Sequence, residues 1–102
     1  MDESIRRQLL VEKVADVVCN YYGVDVNDVF STTRKRPIAL ARESIIYILH
    51  CDFCLSLSFL SRTFERTPRW ICDICATKRL HIELYEDSFE EHEILLKLIK
   101  KR

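Results

Sequence analysis

Apolar residues recur along this chain at helical rather than strand spacing. Ile5, Leu9, Val14, Val17, Val18 and Tyr21 predict a first helix, with Ser4 placed to cap its start and Gly23 at the position that ends it. Val24 to Phe30 predicts one short helical turn capped by Asp25, with Val26, Val29 and Phe30 inward. From Ile38 to about Phe53 a third helix presents Ala41, Ile45, Ile48 and Leu49 on one face and Arg42 and Glu43 outside it. Ser56 caps a short helix with Leu57, Leu60 and Phe64 inward, and Glu65-Arg66 then make a turn. Thr67-Pro68 announces the next helix, since threonine is a good N-cap and proline suits the first helical position. That helix runs to about Leu80, with Ile71, Ile74 and Cys75 inside and Arg69, Asp73 and Thr77 opposite. The last helix, about 87–100, packs through Phe89, Leu95, Leu96 and Ile99. Its acidic start and its basic end at Lys97, Lys100, Lys101 and Arg102 agree with the helix dipole.

The expected fold class is therefore all-α: five or six helices in one domain over residues 1–102, with a core about 4–80 and a closing helix about 87–100. Composition supports this. One glycine and two prolines leave few tight turns for a sheet, and 48% hydrophobic residues argue against disorder. No apolar run approaches the roughly 18 residues of a membrane span. Met1-Asp2-Glu3-Ser4 lacks the basic start of a secretion signal, so a cytoplasmic protein with reduced thiols is expected.

Net charge is zero, but its distribution is uneven. Residues 31–82 carry nine basic and four acidic side chains, a net +5, between two acidic ends. Such a middle attracts a polyanion. It also contains two short helices joined by a tight turn, Ser56–Phe64 and Pro68–Leu80. A pair of this kind can place the N-terminal residues of its second helix in a DNA major groove. Arg66, Thr67, Arg69, Trp70, Asp73 and Thr77 are the residues presented there; arginine can bond guanine bidentately and aspartate can accept from cytosine. Trp70 is read as leaning outward, toward a thymine methyl or a sugar edge. Arg34-Lys35-Arg36, in the polar linker 31–37, can track phosphates or enter the minor groove. Arg42, Arg62, Lys78 and Arg79 are further phosphate candidates. An ordinary helical hairpin with a basic, solvated loop is the competing reading of the same pattern.

The stretch from about Val14 to Leu80 resembles the C-terminal DNA-binding domain of the bacterial replication initiator DnaA, a Trp-repressor-like helix-turn-helix fold. The residues that carry the resemblance are Val14-Ala15, Tyr21-Tyr22-Gly23-Val24, Asp28-Val29-Phe30-Ser31, Arg34-Lys35-Arg36, Ala39, Arg42-Glu43, Ser56-Leu57, Leu60 and Phe64. The resemblance implies duplex DNA as partner and places Arg36 as the minor-groove arginine, with Arg34 and Lys35 beside it. Where that family's recognition helix begins Arg-Asp-His-Thr-Thr, this chain has Thr67-Pro68-Arg69-Trp70-Ile71. The shape of the site is kept while the base-reading residues differ. No Gly-x-x-x-x-Gly-Lys-Ser/Thr stretch is present, so neither nucleotide nor cofactor is expected. The resemblance implies a regulator of replication or transcription in a bacterium or phage. A docking scaffold for the initiator or another regulator is the alternative, and the replication initiator or a second copy in a self-dimer is a candidate partner beside DNA.

Cys51-x-x-Cys54 and Cys72-x-x-Cys75 have the spacing of a four-cysteine zinc site, with His50 adjacent. They also fall in or at the ends of predicted helices, where cysteine serves as a small apolar residue. Reduced structural thiols are the reading preferred over a zinc-stabilised domain, and Cys19 packs in the first helix. Catalysis finds no support: His81 and His92 lie in the polar tail, and Ser61 and Thr63 have no activating base.

Overall fold

The structure is a computed structural model and describes residues 2–101. Met1, and Arg102 expected in the basic end of the last helix, lie outside the described residues. Six α-helices and one π-helical turn follow in order: α1 (Glu3–Tyr22), α2 (Val26–Val29), α3 (Ile38–Tyr47), the π turn (Ile48–Asp52), α4 (Leu57–Phe64), α5 (Pro68–Leu84) and α6 (Glu86–Lys101).

The caps are local chemistry and fall mostly where the sequence puts them. Asp25 accepts from the Asn27 amide at 2.8 Å, Ser56 from Phe59 at 3.1 Å and Thr67 from Trp70 at 3.1 Å. Gly23 closes α1 in the left-handed region, φ 70°, and its N–H bonds the Cys19 carbonyl. The start of α1 is corrected by two residues: Asp2, not Ser4, is the cap, accepting from the Ser4 amide. An aspartate there adds negative charge at the positive end of the dipole.

α3 lies at the centre, against α1, α2 and α5. Ala41, Ile45, Ile46, Ile48 and Leu49 are fully buried, as are Val14 and Val18 of α1, Leu60 of α4 and Ile71 of α5. The expected face of α1 shifts: Val11 to Cys19 carry the burial, while Ile5, Leu9 and Tyr21 remain half exposed. The end of the third helix widens into the π turn. The Phe53 amide reaches back five residues to the Ile48 carbonyl (3.1 Å), and His50 Nδ1 meets the Leu55 carbonyl (2.8 Å).

α5 continues to Leu84, and extended Tyr85 separates it from α6. Side-chain ties from the start and middle of the chain hold α6. Tyr22 donates to the Glu91 carboxylate and pairs with Ser44 Oγ, and His92 Nε2 lies 3.3 Å from Asp52 Oδ2. Leu95 and Ile99 are buried beneath it. Phe89, expected to pack, sits one turn before the buried stripe His92–Leu95–Ile99 and is 49% exposed at the rim.

A candidate nucleic-acid interface

Three residues connect α4 to α5, and each has a fixed role. Glu65 takes the left-handed conformation, φ 54°, that ends α4. The Arg66 amide returns to the Ser61 carbonyl at 3.0 Å, while Ser61 Oγ donates to the Arg66 carbonyl. Thr67 then caps α5, with Pro68 at its first position. The turn is thus closed by its own hydrogen bonds and leaves Arg69 and Asp73 exposed and Arg66 partly so.

These side chains are not independent. The Arg66 guanidinium lies over the Trp70 ring, 5.0 Å from its centre, a cation–π arrangement. Arg69 and Asp73, one turn apart and both largely exposed, pair at 3.5 Å. Trp70, read from sequence as outward, is half-buried: it packs on the core and also lines two open grooves. Ser61, Arg62, Arg66 and Pro68 share the first groove with it; Glu43, Asp73, Ile74 and Thr77 share the second. Both flank the start of α5, where a recognition helix meets base edges.

The basic loop is anchored beside this turn. Phe30, at its root, stacks on Phe64 at the end of α4, ring centres 5.1 Å apart. Arg42, expected outside the core and counted as a phosphate candidate, is instead buried at 5% exposure. Its Nε donates to the Val29 carbonyl at 2.8 Å and its Nη2 to the Ser31 carbonyl at 2.9 Å, with a longer contact to Asp28. The Asp28 carbonyl also accepts from Ser31, whereas those of Val29 and Ser31 lie at and beyond the end of α2, where a charged donor suits them. Burial, and then the neighbouring Arg66 charge, hold its guanidinium below its ordinary pKa. Arg42 is therefore a positioning residue whose neighbour belongs to the helix-turn-helix turn. From this root the loop runs outward through hydrogen bonds of Ser31 and Thr33 with the chain two or three residues away, leaving Arg34, Lys35 and Arg36 exposed.

Lys78 is also corrected as a phosphate candidate. It is buried at 8% exposure, on the stripe of Ile71 and Cys75, and its charge faces His92. Arg79 is exposed, and its guanidinium hydrogen-bonds Cys51 Sγ at 3.7 Å. Both displaced residues had a signal in the sequence. Arg42 stands three, four and seven residues before Ile45, Ile46 and Leu49, and Lys78 seven and three after Ile71 and Cys75, so each shares a buried face.

The two CxxC pairs approach each other through Cys51 and Cys75. Cys75 is buried and its thiol is pushed up to about 12, chiefly by burial and then by Cys51; Cys54 and Cys72 are exposed. Among the described residues no group of three or more His, Cys, Asp or Glu side chains is arranged to hold a metal ion. Nor is any described helix long and apolar enough to cross a membrane.

No curated protein sequence matches the chain. The family described as the bacterial dnaA protein helix-turn-helix matches residues 11–69, a span that takes in most of α1, the basic loop, α3, α4 and the turn into α5. With more than half of its length matched, and with that loop fastened to that turn, the chain belongs to the bacterial DnaA helix-turn-helix family of DNA-binding domains.

Proposed function

We propose that this chain binds double-stranded DNA sequence-specifically, and so regulates replication initiation or transcription. In this reading the start of α5 enters the major groove and the loop 34–36 lies along the adjacent minor groove. The observation that carries it is the common anchoring of the two elements. The Phe30–Phe64 stack ties the root of the loop to the end of α4 and the buried Arg42 ties it to α3, so loop and helix present their cations as one body. Arg36, flanked by Arg34 and Lys35, is the minor-groove residue. Arg69, oriented by Asp73, and Arg66, laid on Trp70, are the base readers. Arg62, Thr67 and Thr77 face the same grooves and are suited to phosphates or sugar edges.

The target is read as differing from the initiator's own, because Thr67-Pro68-Arg69-Trp70 fills the slot of the family's base-reading residues. Selection of bound sequences from a random duplex library, repeated with Arg69→Ala, tests the reading. The expected result is an enriched motif that relaxes at one position in the variant, with a loss of about 1–3 kcal/mol. Arg36→Ala is expected to weaken binding at A·T-rich flanks, where the minor groove is narrow. Absence of enrichment at low salt would overturn specific readout and leave docking on another protein as the function to test.

A further inference from the structure

Six of the ten large apolar residues exposed among the described residues fall in the last quarter of the chain: Leu80, Leu84, Tyr85, Phe89, Ile94 and Leu98. None belongs to the DNA-facing grooves. The outer face of α6 also carries an ordered row of charge. Glu86, Glu90, Lys97 and Lys101, spaced four, seven and four residues apart, lie on one line along the helix, and all are exposed. None of them forms an ion pair among the described residues.

Within the helix this row is unfavourable. Glu86 and Glu90 are like charges one turn apart, and so are Lys97 and Lys101, an arrangement that destabilises an isolated helix. The dipole accounts for charges near the two ends of the helix, and Glu93 with Lys97 one turn on is a favourably spaced pair within it; neither removes the repulsion within Glu86–Glu90 and Lys97–Lys101. The row is, however, complementary to itself reversed. About a midpoint between Glu93 and Ile94, Glu86 falls opposite Lys101 and Glu90 opposite Lys97.

We propose that the outer face of α6 is the interface of a homodimer, in which two copies of α6 pack antiparallel about a twofold axis near Ile94. Such an interface is isologous, so each contact occurs twice. Four ion pairs form, Glu86–Lys101 and Glu90–Lys97 in both directions, and Ile94, 45% exposed in one copy, lies beside the axis with its own equivalent, opposite Glu93. The charges set the direction of pairing, and Ile94 is the apolar residue nearest the axis. The DNA-facing side is left free in both copies, which fits an inverted-repeat site. The dimer itself does not depend on DNA binding.

Sedimentation velocity of the full chain over a concentration series, at low and high salt, tests this. The wild type is expected to dimerise with rising concentration, less so in high salt, where exposed ion pairs are screened. Lys97→Glu/Lys101→Glu gives an all-acidic row and Glu86→Lys/Glu90→Lys an all-basic one. Each alone is expected to sediment as a monomer, and the two mixed in equal amounts are expected to recover a heterodimer. Circular dichroism of each confirms that α6 is kept, and Ile94→Asp is expected to abolish the dimer without touching the charges. A wild type monomeric at every concentration, a dimer that survives both reversals, or reversed chains that fail to recover on mixing would overturn the proposal.

Discussion

Replacing Arg42 by methionine tests the anchoring of the basic loop directly. Methionine keeps much of the aliphatic volume and removes the donors. Two short hydrogen bonds to main-chain carbonyls are lost, at 2.8 and 2.9 Å, and the Val29 and Ser31 oxygens are left without that partner. A hydrogen bond from a charged donor contributes about 1.5–3 kcal/mol, and the two are not additive because one guanidinium makes both. The loss is partly offset, since methionine no longer holds a buried charge beside Arg66. The net cost expected is about 2–4 kcal/mol, among the larger effects of single substitutions. For a domain of this size that lowers Tm by roughly 10–25 °C.

Urea denaturation followed by circular dichroism measures it. A variant destabilised by less than about 1 kcal/mol would refute the clamp, since that is the ordinary effect of a surface change. A second readout separates positioning from direct DNA contact. Were Arg42 on a phosphate, its loss would reduce the slope of log affinity against log salt by about 1. With the guanidinium turned inward, the slope is expected to stay unchanged at a temperature where the variant is folded, while affinity falls as the loop loosens.

Gly23→Ala is expected to destabilise by about 1–2 kcal/mol from left-handed backbone strain alone, because nothing lies within 4 Å of an added Cβ; Gly23→Asn should recover part of this in the same denaturation assay. Burial holds the His92 imidazole below its ordinary 6.5 despite the attraction of Asp52, so the folded state keeps it neutral while the unfolded chain binds a proton. Stability should therefore fall as pH drops from about 6.5, and His92→Gln should flatten that limb; identical curves for the two proteins from pH 7 to 5 would refute it. The Asp52 carboxyl, raised by its burial, acts with the opposite sign at lower pH, where the fold takes up its proton first and recovers some stability.

What the sequence made legible here is what short-range chemistry decides. Ser56, Thr67-Pro68, Asp25 and Gly23 act on amides and carbonyls within a few residues, so their roles survive any tertiary arrangement, and with them came the positions of α2, α4, α5 and the turn. The apolar stripe of α3 was equally readable, because a helix that packs on several sides must carry it. Arg42 and Lys78 were misplaced for one reason. Each was assigned by charge to the surface, although its spacing put it on a buried face, and a long side chain can follow such a face to a partner far along the chain. For Arg42 that partner is the end of α2, eleven and thirteen residues away. The same holds for the Phe30–Phe64 stack and the Tyr22–Glu91 tie, which exist only once α2 meets α4 and α1 meets α6. The recognition surface follows this rule in part. Arg69 and Asp73, one helical turn apart, could be paired from sequence alone, whereas Trp70 could not be placed. Its ring serves the core on one side and carries Arg66 on the other, and only the angle at which α4 meets α5 decides how much of it faces out.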